Sequence, residues 1–121
     1  MTGAYTEILG IAGPSEAVAG STVNLVVTVK SLYTATMSVK VGGTFDSSVL
    51  GFSSIQALSP GMSKAFNISF IMPNSDVTVV AVSYYKGQYV WIADDEISKN
   101  ISLTALAPQF SGFAIKSFSK V

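Results

Sequence analysis

The run TVNLVVTVK, residues 22–30, sets Val23, Leu25, Val27 and Val29 at alternate positions, with Thr22, Asn24, Thr28 and Lys30 among the residues between and around them. Successive side chains of an extended chain point to opposite faces. A period of two therefore lets one face enter a core while the other meets water, whereas a helix would scatter the same residues around its axis. The pattern recurs. Met37, Val39 and Val41 alternate with Thr36, Ser38 and Lys40, and Phe66, Ile68 and Phe70 alternate with Ala65, Asn67 and Ser69. Residues 77–85, VTVVAVSYY, are apolar on both faces in the middle, which predicts a central strand covered on both sides. Ile101, Leu103 and Ala105 continue the alternation. No stretch carries a convincing helical period, and β-branched residues dominate the apolar set.

Breakers separate these runs: GPSEAVAGS around Pro14, VGGT after residue 40, LSPGM with Pro60 and Gly61, and MPNSD at 72–76. Pro60-Gly61 suits a type II turn, because glycine accepts the positive φ of its third position. Strands are expected at 5–11 (continuing past Pro14), 22–30, 36–41, 49–56, 62–71, 77–85 and 99–106. About seven short strands with turns every 8–12 residues predict an all-β, antiparallel Ig-like β-sandwich in two sheets. The expected division is a sandwich over residues 1–107, then an apolar C-terminal tail or extra edge strand over 108–121.

The stretches PSEAVAGSTVNLVVTV and LSPGMSKAFNISFIMPNSDVTVVAVSYY resemble the CARDB-type and related bacterial and archaeal Ig-like modules. The resemblance rests on Gly20 before the second strand, on Leu58, Pro60 and Gly61 as an L-x-P-G turn, and on Phe70, Met72, Pro73 and Asp76 leading into the 77–85 strand. It covers roughly residues 8–106, and its motifs are turn signals. It implies a sandwich, occurrence as a repeat in large cell-surface proteins, and a role in adhesion or spacing. It brings no catalytic residues.

Composition removes several chemistries. The chain has 121 residues, one domain's worth, and no cysteine or histidine, so it has neither disulfides nor a zinc site of ordinary type. All seven basic residues are lysines, scattered along the chain and balanced by seven acids to a formal net charge of zero. Nucleic-acid binding thus lacks its electrostatic footing. No apolar run approaches the roughly 20 residues needed to span a bilayer, so no membrane insertion is expected. No signal peptide is visible at the start, MTGAYTEILGIAG. Charged residues make up 12%, about half of what is usual, which favours association. No G-x-S-x-G run occurs, no cofactor is implied, and an enzyme is not expected. The two N-x-S triplets, at Asn67 and Asn100, fall on predicted strands and read as chance.

Residues 84–96, YYKGQYVWIADDE, hold the only tryptophan, three of five tyrosines and the only run of charges. As the predicted loop before the last strand, this segment would gather Tyr33, Tyr89 and Trp91 at one end of the sandwich, a candidate surface for protein or carbohydrate. Alternatively, Tyr89 and Trp91 form one face of a short hairpin packed on the sandwich edge. Asp94, Asp95 and Glu96 are weak candidates for a Ca²⁺ site, against solvated loop carboxylates. At the other end, Glu16, Asp46 and Asp76 read as turn formers.

The tail carries Phe110, Phe113, Ile115 and Phe118. It either folds back on its own sandwich or docks on a neighbour by strand addition or in an apolar groove. Two functions follow. One is a non-enzymatic assembly protein, such as a virion decoration, capsid or tail component, with protein partners or self-association. The other is a cell-surface adhesion or carbohydrate-binding module from a longer multi-repeat protein. The expected location is the virion or the extracellular surface.

Overall fold

A computed structural model describes residues 3–104. These form nine strands: β1 (Thr6–Ala12), β2 (Glu16–Val18), β3 (Thr22–Ser31), β4 (Met37–Phe45), β5 (Ser48–Val49), β6 (Gln56–Leu58), β7 (Ser63–Ile71), β8 (Val77–Lys86) and β9 (Trp91–Thr104). One sheet has the order β1-β3-β7. The other has the order β2-β9-β8-β4-β5, with β6 also pairing with β4. The fold is the expected all-β sandwich, with nine strands rather than seven.

The alternation seen in the sequence becomes the core. Val23, Leu25, Val27 and Val29 of β3, with Phe66 and Ile68 of the adjoining β7, face Val39 and Val41 of β4 and Val77, Val79 and Ala81 of β8, all buried. Two facing sheets bury these rows because each has one apolar side. Strand β8 is central, between β9 and β4. Its outward residues Val80 and Val82 are only half-buried among the described residues, so the expectation of cover on both sides holds for the inner face alone.

One turn carries the geometry assigned from sequence. The Met62 amide donates to the Ser59 carbonyl at 2.9 Å and Gly61 has φ +76°, which makes residues 59–62 the type II turn. The first strand does not continue past Pro14 as expected: it ends at Ala12 and the chain leaves its sheet. β1 pairs antiparallel with β3, whereas β2 pairs parallel with β9 in the other sheet. Proline offers no amide to a ladder, so the chain changes sheets there.

Two strand expectations are corrected. Residues 49–56 are not one strand. Only the short β5 and β6 form, and residues between them track β4 through isolated bonds, Leu50 N to Gly43 O and Ser53 N to Val41 O. Ser53 Oγ also accepts the Val41 amide at 2.9 Å, a side-chain bond that replaces a ladder. The last strand begins at Trp91, not near residue 99. The expected long loop is a four-residue turn over 87–90, closed by Gly87 N to Val90 O at 2.8 Å. The predicted boundary at 107 and the tail lie outside the described residues.

Candidate functional site

The turn at 87–90 makes residues 84–96 a hairpin, and strand alternation then sorts its side chains. Tyr85, opposite Ile92, lies on the inner register; Tyr84, Lys86, Trp91 and Ala93 lie on the outer one. The register shifts after Ser83, where Ser83 pairs with Asp95 and Tyr84 with Ala93. Asp94 is thus the extra residue of a β-bulge, which re-aims its side chain toward the first sheet.

That bulge gives the carboxylates a structural task. Asp94 accepts from the amides of Ala4 (2.8 Å), Tyr5 (3.1 Å) and Thr6 (2.7 Å), and from the Thr6 hydroxyl. Asp95, 3% exposed, accepts the Ile8 amide at 2.8 Å through one oxygen and the Glu96 amide through the other. The free edge of β1 is therefore satisfied by two side chains where a strand would otherwise pair. Buried Ser83 joins them: its Oγ lies 2.8 Å from Thr6 Oγ1 and accepts the Asp95 amide. The acids are on a strand, not in a loop. All four oxygens of Asp94 and Asp95 already accept hydrogen bonds, and Glu96, opposite Val82, faces the other way. The three do not converge on one cation point, and no group of three acidic residues suited to a metal occurs among the described residues.

The aromatic candidates are divided likewise. Tyr33 packs edge-on against Tyr5 (centroids 5.1 Å apart), and Tyr5 packs edge-on against Tyr85 (4.8 Å). With Met37, Gly87 and Gln88 these tyrosines line an open cleft of about 280 Å³ at the hairpin end. Partial burial, then Tyr5 and Asp94 nearby, raise the Tyr85 phenol above its ordinary pKa. Tyr89 projects from the turn, 82% exposed. Trp91 does not join Tyr33: it lies on the outer face of the large sheet, with the Lys40 Nζ 4.5 Å and the Lys86 Nζ 5.5 Å from its ring centre.

The outer face also holds residues that were not singled out in the sequence. Lys40 Nζ sits 3.6 Å from the Phe52 ring centre, and Tyr84 meets the same ring edge-on at 5.3 Å. Phe52 lies over Gly42, where a Cβ would come within 2.7 Å of two ring atoms. Buried Leu50 and Ser53 pin the segment on either side, yet Phe52 stays 55% exposed. The signal for Lys40 and Tyr84 was present, since both occupy outward positions of predicted strands. Phe52 fell in the expected 49–56 strand, but SSVLGFSSIQ has no period that would assign it a face.

At the far end the three expected turn formers are all engaged, although Glu16 opens strand β2 and not a turn. Asp46 accepts the Thr78 amide, Asp76 the Leu103 amide, and Glu16 the Thr104 hydroxyl.

No family model matches the chain, and no curated protein matches it. Solved structures do. The CARDB domain of a Pyrococcus furiosus protein, solved in complex with di-metal ions, superposes with a TM-score of 0.59 at 14% identity, over 86% of this chain and 93% of that one. The fold is CARDB-like. The same Ig-like arrangement recurs in the complex of zinc 2-glycoprotein with prolactin inducible protein from human seminal plasma (TM-score 0.57, 15% identity, 81% of this chain and 97% of that one). It recurs again in alpha-2-macroglobulin from Escherichia coli (TM-score 0.56, 15% identity, 81% of this chain but 16% of that one). At these identities the likeness is one of fold.

Proposed function

We propose that this chain is a non-catalytic Ig-like module that packs against protein partners or copies of itself in a larger assembly, such as a virion decoration, capsid or tail component. One observation carries the reading. At the hairpin end Tyr89 and Val90 are 82% and 63% exposed, and the tyrosine cleft opens beside them. Clustered apolar exposure of this kind on a rigid scaffold marks interaction sites. A structural neighbour solved as a protein–protein complex supports the same class of role. Phe110, Phe113, Ile115 and Phe118 lie outside the described residues, and we retain them as a second docking segment in the proposal. The virion or the cell exterior is the proposed location.

Light scattering of the full chain across a concentration series tests this reading. A defined oligomer is expected, and Tyr89→Ser with Val90→Ser should lower its mass. A strict monomer at every concentration would overturn self-assembly.

A second reading, an adhesion or carbohydrate-binding module, is favoured by a different observation: the rigid, outward Phe52–Lys40–Trp91 arrangement.

A further inference from the structure

Resting on that second reading, we infer that the outer face of the large sheet binds an anionic polysaccharide, one whose sugar rings carry carboxylate or sulfate groups. Three observations converge. First, the face is aromatic and preorganised. Phe52 is held over Gly42 by its pinned flanks, Tyr84 braces it edge-on, and Trp91 stands across Lys40 from it. Rings fixed in this way offer flat apolar faces to the C–H faces of pyranose rings with little loss of side-chain entropy.

Second, the polar groups between the rings are ammonium groups. Lys40 lies within 4.5 Å of both the Phe52 and Trp91 ring centres, and Lys86 flanks Trp91. An ammonium has three donors and no acceptor, so it complements a group that only accepts. A neutral sugar presents hydroxyls, which call for acceptors as well as donors. The Tyr84 hydroxyl has mixed capacity against the Phe52 ring, Ser38 lies on the same outward register of β4, and Glu96 stands one residue pair further along.

Third, the charges of this hairpin are segregated. The chain is neutral overall, but near the turn Asp94 and Asp95 are directed inward to the β1 amides while Lys86, and Lys40 on the neighbouring β4, face outward, with Glu96 the outward carboxylate further along. The bulge that re-aims Asp94 thus removes a carboxylate from the neighbourhood of the lysines and leaves that end of the face cationic.

The test is affinity electrophoresis of the full chain in gels containing polygalacturonate, dextran sulfate, neutral dextran or poly-L-glutamate. Retardation by one or both anionic polysaccharides is expected, and which one retards more identifies the anion. Phe52→Ala and Lys40→Gln should each weaken it by about tenfold, the worth of one lost contact of roughly 1.4 kcal/mol. Phe52 is exposed, so its variant folds, which near-ultraviolet circular dichroism would verify. Equal retardation by poly-L-glutamate would reduce the effect to charge alone and overturn the inference. Retardation by neutral dextran, lost in Phe52→Ala, would overturn the anionic class yet keep the carbohydrate reading. No retardation in any gel would overturn both, and a fall in oligomer mass in Phe52→Ala would then assign this face to a second copy of the chain.

Discussion

The hairpin formed by β8 and β9 has two sides that use the same stretch of sequence in opposite ways. On the inner side, Ser83 and Asp95 are buried and Asp94 half-buried, and every carboxylate oxygen has a donor. On the outer side, Tyr84, Lys86 and Trp91 meet solvent and use each other, Phe52 and Lys40 as partners. The inner groups are costly to disturb because burial without a partner is penalised. The outer groups are cheap to disturb and so are free to serve recognition. A dense cluster of special residues is therefore two devices, separated by a single bulge.

The inner side breaks most easily. Asp95→Ala strips the buried Ile8 amide of its acceptor, and we expect a loss of about 2–3 kcal/mol in urea unfolding, the range for a charge-assisted bond and an orphaned donor. No change in the unfolding midpoint would show that water replaces the carboxylate at no cost. Asp94→Ala is expected to cost about 1–2 kcal/mol: Ala4 and Tyr5 are exposed and find water, while the buried Thr6 amide loses its acceptor. Its distinguishing mark is hydrogen exchange. The Thr6 amide should lose protection while the Ile8 amide, held by Asp95, keeps it. Equal loss at both would mean that the two aspartates form one cooperative unit.

How much of this was legible follows the same division. The β3, β7 and β8 cores were readable because a period of two with β-branched residues admits few other structures, and the Pro60-Gly61 turn was readable because its φ demands glycine. The strand from Trp91 was legible only as the short hairpin of one reading, and its full length was hidden because ADDE has the look of a loop. A run of charges enters a strand only when a neighbouring edge offers donors, and the free amides of β1 come from residues some 90 positions away. Ser83 gave a hint, being polar on the inward register of VTVVAVS. The Phe52 arrangement was illegible because it depends on Gly42 leaving room for a ring that arrives from an irregular segment. The placement of Tyr33 with Tyr5 and Tyr85, away from Trp91, follows from strand alternation, but only once the hairpin register is known.

On the outer side the expected effects on stability are smaller. Trp91→Ala removes a half-buried ring and two cation–π contacts, for an expected loss of about 1 kcal/mol. That is well short of the roughly 3–5 kcal/mol for a core tryptophan, and a loss of that size would place Trp91 among the structural residues. Gly42→Ala should change stability by under about 1 kcal/mol, since the Phe52 ring in its way is exposed and can swing out. The same substitution should increase the mobility of Phe52, visible as a collapse of its ring chemical-shift dispersion.

The smallest effect tests where the two sides meet. Tyr85 lies on the inner register beside Asp94, and its phenol is raised above the ordinary value of 10.0 by burial, by Tyr5 and by Asp94. An acid raised by folding ionises first in the unfolded chain. Its contribution to stability is therefore fully present below pH 10 and is lost as the pH climbs from there through the folded value. In a spectrophotometric titration of the tyrosines, one step should come above the ordinary value, and Tyr85→Phe should remove that late step. Asp94→Asn should move the step toward the ordinary value by taking away a nearby negative charge. An unmoved step would mean that burial and Tyr5 alone hold it up, and that the carboxylate's charge is spent on the amides of β1.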